Sequence, residues 1–275
     1  MSRFERRFNL SRWSRVLDTS LRSEARVVAL WTMVMFAVGA ATMLLFRPFL
    51  AATWLDRFLA DLPRWLRSFL GIGPLRTPAQ FLDGVVFGFF APVVFMTFGI
   101  GVGSRAVTGH GPASPGLGSE RMSAAGLVLV KMAGLATGAV VIGIGASLGM
   151  LVGARVAGGA LDPANVTVGV GADILLGISL GAIALLAGAV TNSFVMAGWI
   201  ATAVAFAADG LRGLGAAVGQ LADLRYTSLL YYADGEPASR GVTPAHEAAL
   251  LVVIVGVSTL AAVASDRRAA SPPAA

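Results

Sequence analysis

FLDGVVFGFFAPVVFMTFGIGVGS (Phe81–Ser104), RAVTGHGPASPGLGSERMS (Arg105–Ser123) and AAGLVLVKMAGLATGAVVIGIGASLGMLVG (Ala124–Gly153) form the stretch that decides the fold. The outer two pieces are uninterrupted apolar runs, each longer than the roughly 18 residues that carry a helix across a hydrocarbon core of about 30 Å. The middle piece is rich in Pro, Gly and Ser, which break a helix, and its arginines and Glu120 favour water. A polar loop between two membrane spans is where a membrane protein meets a soluble partner.

Working outward, the same pattern recurs. Further apolar runs at Val27–Phe46, Thr167–Val190, Ser193–Ala208 and His246–Ala264 bring the spans to six, the fifth being the shortest. Composition agrees: 56% of the 275 residues are hydrophobic and 13% are charged, against about 25% charged in a soluble domain. The reading is an all-α integral membrane protein of six transmembrane helices, with an N-terminal interfacial helix and amphipathic helices on the outer face. Its parts are a basic tail and interfacial helix over 1–26, a transmembrane domain over 27–268 and a disordered tail over 269–275.

The net charge of +6 and pI near 10.9 do not point to nucleic acid. The arginines lie around the spans and form no basic face on a soluble domain, as the positive-inside bias requires. Arg3, Arg6, Arg7, Arg12, Arg15, Arg22 and Arg26 precede the first span. They place the N-terminus in the cytoplasm, and six spans return the C-terminus there. The leading region is too long, and the apolar run after it too extended, for a cleaved signal peptide. Leu10, Trp13, Leu17 and Leu21 recur at helical spacing among these arginines, which suits a helix lying on the membrane surface. On the outer side, Trp54, Phe58, Leu62, Trp65 and Phe69 mark an amphipathic helix that Pro63 kinks or splits. A second outer helix is expected through Leu211, Leu214, Val218 and Leu221, followed by Tyr226, Tyr231 and Tyr232 as an anchor at headgroup depth.

Several chemistries are excluded. The chain has no cysteine, so disulfides, thiol nucleophiles and Cys-ligated metals are absent. Its only lysine, Lys131, sits in VLVKMAG, so there is no P-loop to cradle nucleotide phosphates. The glycines of Gly99-Ile100-Gly101-Val102-Gly103 lie inside a span and follow no strand, which argues against a dinucleotide fingerprint. Gly134, Gly138, Gly145, Gly149 and Gly153 read as a smooth ridge for close helix packing. His110 and His246 fall on opposite membrane sides and share no metal. Asp173 and Asp83 are the carboxylates that fall within spans, both near enough to the outer ends to reach water. Ser147, Ser179, Thr191, Asn192 and Ser193 are the polar residues placed to line a substrate path, and most serve equally as helix-to-helix hydrogen bonds. Such a path suits a greasy or amphipathic molecule.

The order of these segments carries a resemblance. A basic surface helix, a first span, an outer Leu62-Pro63 helix ending in Leu70-Gly71, and a second span running into Ser104-Arg105-Ala106-Val107-Thr108-Gly109 open the series. Leu127-Val128-Leu129-Val130-Lys131, Leu224-Arg225-Tyr226-Thr227-Ser228-Leu229-Leu230-Tyr231-Tyr232 and Asp266-Arg267-Arg268 continue it. This series resembles the permease subunits of type-2 ABC exporters over nearly the whole chain, from about Leu21 to Arg268.

The resemblance implies a half-transporter in the cell membrane, pairing with a second permease subunit and with separate ABC ATPase subunits that hold the ATP and Mg. It expects no cofactor and no catalytic activity on this chain. It makes the N-terminal helix an elbow helix and Arg105–Ser123 a coupling helix, with Arg105, His110, Leu117, Glu120, Arg121, Met122 and Ser123 as the residues facing the ATPase. The chain departs from the family here: His110-Gly111-Pro112 stand where paired acidic residues are usual, and Ala124 replaces an arginine. Implied substrates are drugs, antibiotics, lipids or polysaccharides. The competing reading is a secondary transporter or channel without an ATPase partner, which calls for inverted repeats or charged midplane residues. A membrane scaffold and an integral-membrane enzyme are the remaining readings.

Overall fold

The computed structural model describes residues 10–50, 61–63, 66, 75–105, 124–233 and 237–270. Regular structure among them is entirely helical. Six of the described helices are long and apolar enough to cross a bilayer, so the chain has the architecture of an all-α multi-pass membrane protein. They are α1 (Leu10–Leu50), α2 (Pro78–Arg105), α3 (Ala124–Val156), α4 (Pro163–Thr191), α5 (Phe194–Ala217) and α8 (Pro244–Ala270). Between the last two lie a 3₁₀ segment (Gly219–Thr227) and the short helices α6 (Leu229–Ala233) and α7 (Pro237–Arg240).

Local chemistry sets the helix starts. Thr77 and Gln80 form a capping box on α2, the Thr77 hydroxyl accepting from the Gln80 N–H at 3.2 Å, with Pro78 in the first turn. Asp162 caps α4 by accepting from the Ala164 N–H at 2.9 Å, again ahead of a proline. Thr191-Asn192-Ser193 is the tight turn expected. Asn192 is left-handed at φ 54° and ends α4, while the Ser193 hydroxyl accepts from the Met196 N–H at 3.3 Å and begins α5.

Three boundaries differ from the sequence reading. The backbone is continuously helical from Leu10 to Leu50, with no break between interfacial segment and first span, because no Gly or Pro intervenes before Gly39. At about 1.5 Å per residue, its 41 residues exceed the membrane thickness, and the portion apolar enough to span is Ala25–Phe49. The fifth span continues past Ala208 to Ala217, with Asp209 and Arg212 paired at 2.9 Å on one helical face. The expected stripe Leu211–Leu221 is therefore not one helix: the chain turns extended at Val218 and re-forms as 3₁₀. The final helix runs on to Ala270, into the expected tail. Most of the amphipathic segment around Trp54–Phe69 lies outside the described residues.

Packing is built on parallel pairs of alternate helices. Helix α4 is central, touching α2, α3, α5 and α8, whereas α1 packs along α3. The α3 glycine ridge faces α1: a Cβ at Gly145 would stand 2.5 Å from Thr32 Cγ2, one at Gly149 would overlap the Phe36 carbonyl, and one at Gly153 would stand 2.7 Å from Ala40 Cα. Gly99 and Gly103 of α2 meet Gly177 and Gly181 of α4 backbone to backbone in the same way. With little hydrophobic force between helices in lipid, such close approach supplies the packing energy. Thr32, Thr42, Thr137, Ser179, Thr191 and Thr259 each donate to the carbonyl four residues earlier, so these hydroxyls are satisfied inside their own helices.

Candidate functional site

Helix α2 begins as an α-helix over Pro78–Leu82 but does not stay one. Asp83–Phe90 is π-helical, and the Ala91 N–H bonds the Val86 carbonyl five residues back. Pro92 follows and has no N–H for the Gly88 carbonyl, which removes the bond that would hold the α register there. Asp83 opens this segment and is only 6% exposed. Its Oδ1 accepts from the Ala238 N–H at 2.8 Å, and its Oδ2 accepts from the Ser239 N–H at 3.1 Å and the Ser239 hydroxyl at 2.6 Å. A buried carboxylate is costly unless hydrogen-bonded, and these donors meet that need.

The segment so held is buried in its first half, with Ser239 and Arg240 exposed. Pro237 and Ala238 are buried, and α7 touches both α4 and the π-helical part of α2. A Cβ at Gly169 of α4 would stand 2.7 Å from Pro237 Cβ and 3.0 Å from Phe87 Cε1, so only glycine leaves room for the proline. Gly241 leaves α7 at φ +78° beside Asn165. One turn below Gly169, Asp173 is 2% exposed. Both intramembrane carboxylates are thus enclosed by protein, and neither reaches water at a span end as expected. The segment over Asp83 arrives from 155 residues away, beyond the reach of any local pattern.

The tyrosines expected as a headgroup anchor do gather at this end of the bundle, together with His246. Tyr231 packs edge-on to Tyr226 at 5.0 Å and to Tyr232 at 5.3 Å between ring centres, and the His246 ring lies 5.1 Å from it. Arg225 lies over the rings of Tyr226 and Tyr231 at 4.9 and 5.7 Å and donates to the Tyr226 hydroxyl at 2.8 Å. That hydrogen bond, with the surrounding charges, holds Arg225 above its ordinary value, leaving a permanent cation. The Ser228 hydroxyl donates to the Ala208 carbonyl at 2.6 Å, and Gly215 lets the Arg225 backbone come close, so the 3₁₀ segment folds back on α5. His246 is therefore part of a ring cluster.

At the opposite end, Arg105 terminates α2 and is exposed, with Ser104 buried beside it. His110, Leu117, Glu120, Arg121, Met122 and Ser123 lie outside the described residues. The ends of α2 and α3 that flank them share this end with the Thr191–Ser193 turn.

The residues suggested for a substrate path are not assembled within one chain. Ser179 is fully buried and donates to Leu175 at 2.8 Å; Thr191 donates to Ala187 at 2.8 Å; Asn192 and Ser193 make the turn. Their bonds are within helices and caps, not between helices. Ser179 and Thr191 are about 18 Å apart along α4 by helical rise. Ser147, half-buried on the antiparallel α3, lies one turn beyond Gly143, which meets Val170 and Ile174, so it is more than a turn above Ser179. Among the described residues no group of three His, Asp or Glu side chains is placed to hold a metal ion. Comparison of the chain with protein-family models, with curated proteins and with solved structures finds no match.

Proposed function

We propose that this chain is the permease subunit of an ATP-driven type-2 ABC exporter in the cell membrane, moving a hydrophobic or amphipathic substrate with energy from a separate ATPase. The observation that carries this reading is the connector Arg105–Ser123 between two long spans, in a chain whose segment order resembles that family throughout. A six-span bundle with both flanks of the connector at one end supports it, because a docking loop must project from a single face. In this reading the connector end, with α1's arginine-bearing start and the end of α8, is cytoplasmic. The apolar helix surfaces left exposed suit lipid and a second permease subunit.

Purification of the tagged chain from its native membrane tests the proposal. The expected result is a co-purifying P-loop ATPase, with ATP hydrolysis in the complex and none in the chain alone. Transport by the purified chain with no nucleotide-binding partner would overturn it. One observation favours the alternative of gradient-driven transport: Asp83 and Asp173 are buried carboxylates inside spans. That alternative requires transport to follow an imposed proton or ion gradient without ATP.

A further inference from the structure

We propose that α7 is a plug in the end of the bundle opposite the connector, latched by Asp83, and that the π-helical turn of α2 is the hinge that releases it. The inference is independent of what the protein transports.

Three relationships carry it. A four-residue helix has no stability of its own, so Pro237–Arg240 keeps its place through what holds it. Those holds are the Asp83 carboxylate on Ala238 and Ser239, and the seat that Gly169 and Phe87 make for Pro237. Asp83 is also the first residue of the π-helical segment. A π turn accommodates more residues than an α turn, and each residue of slip back to α register rotates one side of the helix against the other by about 100°. The far side of α2 is fixed, because Gly99 and Gly103 are locked against the α4 backbone. Rotation therefore falls on the Asp83 end and swings the carboxylate off α7. With the latch broken, Pro237 leaves its seat at Gly169.

The absence of native cysteine allows a direct test. In the full-length protein in lipid nanodiscs, Ala238→Cys places a thiol at a position only 5% exposed, without removing a latch side chain. Its reaction with a polar maleimide is expected to be slow. Asp83→Asn in that background is expected to speed it by about tenfold or more, the scale of losing charged hydrogen bonds. Pro92→Ala, which restores the missing N–H and favours the α register, is expected to do the same with Asp83 intact. Ala184→Cys, fully buried in the middle of α4, should stay unreactive in every background. Fast labelling of Ala238→Cys with latch and hinge unchanged, or no acceleration by either Asp83→Asn or Pro92→Ala, overturns the proposal. So does parallel exposure of Ala184→Cys, which would mean general unfolding.

Discussion

The carbonyl oxygen of Gly177 occupies the space in which a Cβ on Gly99 would stand, so α2 and α4 meet backbone to backbone with no side chain between them. The same contact repeats one turn on at Gly103 and Gly181, which makes it a seam and not a single crossing. Gly99→Ala should force this seam apart and destabilise the protein by about 1–3 kcal/mol, the usual range for overpacking. Gly256→Ala on α8, where nothing lies within 4 Å of the added carbon, should not destabilise and should gain up to about 1 kcal/mol of helix propensity. Thermal unfolding midpoints in one detergent compare the two, and equal midpoints would show that the seam is not tight.

Asp83 should matter more than its partner Ser239. Asp83→Ala leaves the buried Ala238 N–H, and the part-buried N–H and hydroxyl of Ser239, without their acceptor, a cost of about 1–3 kcal/mol. Ser239→Ala removes only one of those donors and should cost about 1 kcal/mol. Denaturation in a fixed mixed micelle reads both, and a larger loss for Ser239→Ala would reverse the assignment of the carboxylate as the organising group.

Arg225 should act through its shape as well as its charge. Lysine keeps the charge but loses the planar stack on Tyr226 and Tyr231. Arg225→Lys should therefore raise hydrogen exchange of the amides in Gly219–Thr227 by a few-fold. Unchanged exchange would mean that the ring stack does not hold this segment.

The connector supplies a functional prediction. If Arg105–Ser123 docks on an ATPase, replacing Glu120 and Arg121 together with alanine should leave insertion and assembly intact while separating ATP hydrolysis from transport. Hydrolysis and substrate efflux measured in the same proteoliposomes give the ratio, and an unchanged ratio would place docking elsewhere.

The Asp209–Arg212 pair is expected to contribute little. Asp209 is 49% exposed although Arg212 is only 14% exposed, and a pair with one partner in solvent is commonly worth under about 1 kcal/mol. Asp209→Asn should therefore shift the unfolding midpoint only marginally, and a large shift would show that the end of α5 depends on it.

Sequence alone determined the membrane class, the six spans, the turn at Thr191–Ser193 and the use of the α3 glycines for packing. Each of these follows from hydrophobic length, a local turn or a four-residue period, quantities contained within one stretch of chain. Tertiary structure decided which helix each glycine ridge meets, why the hydroxyls on Ser179 and Thr191 turn inward to their own backbone, and that Asp83 and Asp173 are enclosed. Composition marks a carboxylate in a span but not the segment that covers it, because Ala238 and Ser239 carry no local signal of pairing with a residue 155 or more positions away. That pairing exists only once α2, α4 and α7 share one end of the bundle.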